Sequence, residues 1–587
     1  MCTRADAKEL ELDQLYDGFR AQALQDPTSA TAAVARFAPD HFSSTLRFHH
    51  EVANIRAMGY VMEGLSASPL LDEGEGERPL LRMPDDRMSQ LADAVCSSSQ
   101  LRSCYFPDYP IIEECNHSES ILGLSSRYTS TLNPALQLMM PIIPTLLMLV
   151  LEVLLATLLV LWTGPAAAIA RASTAVGVAA RAAWTSIAEL LWPFSRVGPA
   201  WLSPAMMFRT LMYLLAGGTA IKTALDHRDE LQTARQLLGA MALREAAQTR
   251  LVQRFAERWA ENAVVRRDSG YLQSVFWKPL DEVTQIEDAF TALRREAGGD
   301  LQAYLAQMST SRVLFWLWKL VGDRRGPRAL KLNELASRVA GWAVWAHGGA
   351  GRLVRAELGG AGEETELLGA TNPFLDAAVC VPQDARLQKS QIITGGNATG
   401  KTTYTKTVMI NMMLVHSLGV GFFRACKLAR PYTHLLCYLE VPDTSTSRDS
   451  LFQAEARRVA GLLQTADTED AHVLVILDEV FTGTNPRDAA AAVLALARFV
   501  DARLAPRFTY LLTTHFTDVA TVVEGETKFT HTVCLQTAAD ESRRLLPGVS
   551  TASTVRDVLA APDMGFPSEF LNLLNAGADA PSIADID

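Results

Sequence analysis

Several signals are missing from this 587-residue chain. Positive charge is not in excess: 54 Lys and Arg stand against 65 Asp and Glu, a formal net charge of -11. No bulk basic field therefore advertises nucleic acid, although a local basic face could still bind phosphates. Charge of either sign is scarce, 20% against 49% hydrophobic residues, and the mean hydropathy is +0.08. That is apolar for a soluble enzyme, so a membrane segment has to be sought. The eight cysteines show no regular spacing, which argues against a disulfide frame and fits thiols in a reducing compartment. Cys96, Cys104, Cys115 and His117 lie close in sequence, at gaps that match no standard zinc pattern. Met1–Phe19 alternates acidic, basic and apolar residues, without the apolar core of a cleavable secretory signal.

A chain of this length exceeds one core, and four zones can be separated. Residues 1–133 are mixed, with a helix expected over Ser44–Leu65 and no assignable chemistry. Residues 134–220 are the apolar zone. Ile142–Trp162 is interrupted only by Glu152 and reaches the roughly 20 residues that span a bilayer. A weaker stretch, Pro199–Ala220, carries Arg209, and the Ala-rich segment between them carries Arg171 and Arg181. One or two membrane-associated helices are the expectation, because soluble helices seldom stay apolar on every face for so long. The plainer alternative is a pair of buried helices, with Glu152 paired inside. Residues 221–346 read as charged amphipathic helices, notably Arg228–Arg266 and Leu332–Trp345, punctuated by Gly298 and Gly299. Their apolar stripes are expected to pack as core.

Residues 347–587 carry the chemistry. The short apolar strand Ser390–Thr394 runs into Gly395, Gly396, Asn397, Ala398, Thr399, Gly400, Lys401 and Thr402, with Thr403 following. The run satisfies G-x-x-x-x-G-K-[ST], and Tyr404–Ser417 has helical periodicity, so strand, loop and helix come in the order the motif needs. The glycines let backbone N–H groups turn inward to phosphate oxygens, and the helix N-terminus adds partial positive charge. Lys401 supplies a mobile charge to the β- and γ-phosphates, and Thr402 a hydroxyl to magnesium.

Downstream, the aliphatic run His472–Leu477 reads as a central parallel strand and ends in Asp478 and Glu479. Asp478 is the candidate magnesium ligand, and Glu479 the residue that orients or deprotonates the attacking water. A third strand, Phe508–Leu512, ends in Thr513, Thr514 and His515, which would bring His515 to the same sheet edge.

These segments resemble the MutS family. Thr394–Tyr404 is similar to its TGPNMGGKSTY signature, Asp478–Asn485 to its DEIGRGTS segment, and Thr513–Phe516 to its ATHY. Ser450–Glu455 resembles the S-T-F-M-x-E stretch, which implies that Ser450 reaches the γ-phosphate of a dimer partner. Asn372–Phe374, Leu546–Ser550 and Gly565–Glu569 look like further family segments, in family order. The likeness runs from roughly Asn333 to Asn575. Gly396 stands for the family's proline, Thr402 for its serine, and the glycine before the signature serine is missing. The only Phe-x-Glu, the family's mismatch wedge, is Phe255–Glu257 inside a charged helix.

The resemblance implies an α/β P-loop ATPase with a mainly parallel sheet, ATP and magnesium as ligands, and a homodimer or heterodimer formed through the ATPase domain. Double-stranded DNA, mismatched or branched, is the implied partner of an ATP-driven clamp. A membrane-anchored ATPase acting on another substrate, or tethering DNA to a bilayer, is the alternative that the apolar zone raises. A scaffold that binds ATP without turnover would have no need of Glu479.

Overall fold

The computed structural model describes residues 11–25, 29–39, 47–68, 70, 90, 120, 124, 154, 204–298, 300–323, 326–360, 363–396, 399–439, 451–466, 468, 470–528, 530–537, 543–550, 567 and 570. It divides into two compact units. One comprises Met1–Arg78, Ala247–Ile286 and Leu330–Asp587; the other comprises Pro79–Ala246 and Glu287–Ala329.

The second unit is helical. Leu237, Leu238 and Leu243 of the helix Pro204–Trp259 share a core with Phe290 and Leu293 of Ala289–Ala297 and with Leu314 and Leu317 of Thr310–Asp323. Asp288 caps Ala289–Ala297 through the Thr291 N–H at 2.9 Å. Its other oxygen accepts from Arg328, which is 5% exposed and also bonds Glu245. A buried guanidinium is tolerable here because two carboxylates and the Phe290 face compensate it. Gly298, at φ +66, ends the helix in a conformation that disfavours other residues.

In the first unit the strands are β1 (Val354–Arg355), β2 (Glu357–Leu358), β3 (Glu366–Ala370), β4 (Gln383–Arg386), β5 (Ser390–Thr394), β6 (Val420–Gly421), β7 (Ala425–Leu428), β8 (His434–Tyr438), β9 (Val473–Asp478), β10 (Phe508–Thr513), β11 (Thr530–Thr537) and β12 (Arg543–Pro547). The principal sheet has the order β12-β11-β5-β10-β9-β8. All its neighbours are parallel except the antiparallel edge pair β11–β12. A second sheet, β2-β7-β3-β4, and the pair β1–β6 complete the β structure.

Both faces of the principal sheet are covered, which is why its central strands are apolar without interruption. Ile393, Leu435, Leu474, Ile476 and Leu511 face one core with Val408, Met409, Met412 and Val415 of the helix Lys401–Leu418. The alternate residues Ile392, Leu436, Val473, Val475, Tyr510 and Leu512 face the other, with Val493 of Pro486–Phe499 and Val519 of Thr517–Glu526. The helix Val52–Ala67 joins the first of these cores. It meets the end of Lys401–Leu418 so closely that a Cβ on Gly419 would lie 2.3 Å from the Gly59 nitrogen and the Ile55 oxygen. Gly419 also sits at φ +70, so this contact requires glycine twice over.

Some elements differ from the sequence expectation. The helix expected from Ser44 begins only at Val52; residues 47–50 carry no regular secondary structure, and the N-cap Glu51 is extended. There the His49 N–H donates to the His416 oxygen at 3.0 Å and Phe48 stacks on the His416 ring, so tertiary contacts override local propensity. Among the described residues no helix is long and apolar enough to cross a membrane. The weaker apolar stretch enters the 56-residue helix Pro204–Trp259, which does not meet that standard and becomes charged as it proceeds. The stronger run, Ile142–Trp162, and the group Cys96, Cys104, Cys115 and His117 lie outside the described residues, apart from Leu154.

Candidate nucleotide-binding site

The site forms where parallel strands end. Thr513, the last residue of β10, pairs in register with Asp478 on one side and Ile393 on the other. Strand β10 thus separates the phosphate-loop strand from the acid-bearing one, and the loops leaving β5, β9 and β10 share one sheet edge. Ligands of open parallel sheets collect at such edges.

The loop after β5 turns sharply. Gly400 has φ +101 and precedes the helix Lys401–Leu418, whose N-terminus has no side-chain cap. Uncapped N–H groups and the helix dipole at that end suit an anion. A Cβ on Gly395 would lie 2.9 Å from Thr399 Oγ1 and 3.0 Å from the Leu535 oxygen. Thr399 Oγ1 donates to the Gly396 oxygen at 2.8 Å, closing the loop on itself. Lys401 is 6% exposed, and its Nζ donates to the Gly395 and Gly396 oxygens at 3.1 and 3.2 Å. Burial lowers its pKa, opposed by Glu479 and Asp478. Among the described residues this buried ammonium meets two neutral carbonyls and one carboxylate at 3.8 Å, which leaves it under-compensated, as a polyphosphate site should be.

Thr402 Oγ1 donates to Asp478, 2.9 Å from Oδ2 and 3.2 Å from Oδ1, and Thr513 Oγ1 donates to Oδ1 at 2.5 Å. Burial raises the Asp478 pKa, against the pull of those two hydroxyls. A carboxylate short of positive charge beside a hydroxyl, at the foot of a phosphate loop, fits the two protein ligands that magnesium takes in nucleotide sites. ATP and magnesium therefore both suit the residues present.

Glu479 follows at φ +48, its N–H donating to the Thr513 oxygen at 3.2 Å. Its carboxylate is half-exposed and lies 2.7 Å from His515 Nε2. A carboxylate can only accept, so His515 Nε2 carries the proton. Lys401, Thr402, Asp478, Glu479 and His515 are thus brought together. Thr403 lies in the first helical turn, where its oxygen accepts from Thr407 Oγ1 at 2.6 Å. Asn397, Ala398 and Ser450 lie outside the described residues.

Two residues quoted in the sequence reading were given no role there. Thr513 reads as the end of a strand, and only the register reveals its bond to Asp478. Glu455 closes the Ser450–Glu455 segment that resembles the family's S-T-F-M-x-E stretch, but no role was drawn for it; it is 3% exposed and accepts from Thr482 Oγ1 and the Gly483 N–H. The likeness marks the position, but its spacing does not show the burial.

Comparison with known proteins bears on the same stretch. Residues 391–562 match MutS domain V. The match holds the phosphate loop, Asp478, Glu479 and His515, and covers well under half of the chain. Similar curated proteins include the endonuclease MutS2 of Thermomicrobium roseum, 30% identical over 230 residues, 36% of this chain and 27% of that protein. The endonuclease MutS2 of a Geobacillus species is 30% identical over 159 residues, 26% of this chain and 19% of that one. The DNA mismatch repair protein MutS 1 of Halobacterium salinarum is 28% identical over 218 residues, 35% of this chain and 24% of that one. The matched region spans about a quarter or less of each relative's length. The MutS-like part is thus a P-loop α/β domain with a mixed sheet.

Proposed function

We propose that this chain binds and hydrolyses ATP through its MutS-like domain and works as a dimeric clamp on DNA, in repair or recombination. The observation that carries the ATPase reading is the convergence of Lys401, Thr402, Asp478 and Glu479 at one sheet edge, with Asp478 bonded to Thr402. The DNA reading rests on the names of the similar proteins, mismatch repair protein and endonuclease, and so on kinship of one domain.

The residues divide the work. Loop N–H groups and Lys401 bind the phosphates and neutralise charge that grows as the terminal phosphoryl transfers. Bound magnesium, held by Thr402 and Asp478, would supply further charge neutralisation. Glu479 orients the attacking water and takes its proton, while the terminal P–O bond breaks and ADP leaves. His515 holds the Glu479 carboxylate and stands ready to contact the phosphoryl group. Ser450, by resemblance, completes the neighbour's site, so ATP would stabilise the closed dimer and hydrolysis would reset it.

A second reading has its own observation. The run Ile142–Trp162 is long and apolar enough to cross a bilayer. On that reading the same ATPase is anchored to a membrane, where it tethers DNA or acts on another substrate.

The test is the ATPase rate of the full chain, in detergent, without DNA, with matched duplex, and with mismatched or branched duplex. Stimulation or inhibition by one DNA form, lost as salt rises, supports the clamp. Robust turnover indifferent to every DNA overturns it in favour of the anchored reading.

A further inference from the structure

Glu455 is a buried charge that hydrolysis, as described above, does not use. Acidic side chains are rarely buried unless compensated, and among the described residues no cation pairs with this one. Its two oxygens are instead both spent on one turn. Oε1 accepts from Thr482 Oγ1 at 3.0 Å and Oε2 from the Gly483 N–H at 3.1 Å. That turn leaves β9 immediately after Glu479.

The turn needs holding. Glu479 at φ +48 and Phe481 at φ +66 both occupy the left-handed region, which is costly for residues with a Cβ and persists only where surroundings impose it. The surroundings are the first turns of the helix Leu451–Ala466. A Cβ on Gly483 would lie 2.7 Å from the Phe452 nitrogen, and the Phe452 and Phe481 rings stand 6.1 Å apart. Arg458 of the same helix donates to the Cys437 oxygen of β8 at 2.9 Å, so the helix is itself anchored to the sheet.

We propose that Glu455 is a positioning residue for hydrolysis: by clamping Thr482 and Gly483 to an anchored helix, it imposes the backbone conformation that aims Glu479. The inference rests on the ATPase reading and extends it to a control point outside the nucleotide loop. Because the clamp acts after binding, its loss lowers turnover and spares ATP affinity.

The experiment measures steady-state hydrolysis and binding of a fluorescent ATP analogue on the full chain. Glu455→Ala is expected to lose about 10- to 100-fold in kcat, the usual cost of a supporting contact, with KM for ATP and analogue affinity little changed. Glu455→Gln should keep most of the rate, because the Thr482 hydroxyl can rotate to accept from the new amide. Thr482→Val, at an exposed position, should fold even if Glu455→Ala does not, and should lower kcat alone by a smaller factor. In a Glu479→Gln background Thr482→Val should cost nothing further. Unchanged kcat in Thr482→Val and Glu455→Ala, or affinity lost in parallel with rate, overturns the assignment. A wild type without turnover overturns the ATPase reading as well, whereas an active wild type matched by both variants overturns this inference alone.

Discussion

The two halves of the site differ in depth. Lys401 is buried and Asp478 partly so; they bond to backbone carbonyls and threonine hydroxyls, and both have pKa values displaced towards the neutral form by burial. Glu479 and His515 stand 40% and 43% exposed and hold each other. Charges set back from water and short of compensation suit ligands of complementary charge, which on the proposed function are a polyphosphate and a cation. An exposed pair can move without breaking a core. On the proposed function, that difference would leave binding to the deeper half and control of hydrolysis to the more exposed one.

That division can be broken by variants. Lys401→Met should have the largest effect, a loss of about 100- to 1,000-fold in turnover with weakened nucleotide affinity, as removal of one aimed donor typically costs. Isothermal titration with ATP reads the affinity directly, and unchanged affinity would refute the binding role. Asp478→Asn should raise the magnesium concentration needed for half-maximal rate. Thr513→Val should raise it by a smaller factor, since the Thr513 hydroxyl supports Asp478 from behind and also accepts from the Glu479 N–H. A magnesium titration of the rate checks both, and an unmoved midpoint in Asp478→Asn would remove the metal role. His515→Ala should lower kcat while leaving ATP affinity intact, which would sharpen the contrast; parallel loss of affinity would erase it.

The smallest effect on rate concerns histidines far from the edge. His416 is fully buried, with Nε2 accepting from the Tyr432 N–H at 2.9 Å and Nδ1 donating to the Met412 oxygen at 2.8 Å. Burial lowers its pKa to about 4, and burial chiefly also lowers that of His49 to about 4. A folded-state pKa below the unfolded one means that unfolding takes up protons as pH falls. The stabilisation is therefore complete above about 6.5 and is lost as pH drops towards 4, by an amount on the order of 3 kcal/mol for each group. Urea unfolding midpoints between pH 7.5 and 4.5 should fall accordingly, and a flat profile would contradict the burial.

The phosphate loop and the strands around it were legible because several rules agree there. Ser390–Thr394 is a strand in sequence and structure alike, and the helix expected from Tyr404 starts three residues earlier, at Lys401. An apolar run buried on two faces has few other solutions. The first unit as a whole was not legible in that way. It collects Val52–Ala67, Ala247–Ile286 and the ATPase strands, and periodicity says which face of a helix is apolar but not which distant segment covers it. Gly59 against Gly419 is such a contact, invisible until both chains of residues are in place. Thr513 and Glu455 lie in segments that the sequence marks, but their roles were missed for the same reason, since they depend on register and burial rather than on spacing.

The central claim is that Glu479 activates water at a site assembled by Lys401, Thr402 and Asp478. Single-turnover hydrolysis of bound ATP, comparing wild type with Glu479→Gln, tests it most directly. The account predicts equal loading of ATP, rapid cleavage by the wild type, and a stalled, ATP-filled variant. Cleavage by Glu479→Gln at the wild-type rate would contradict it.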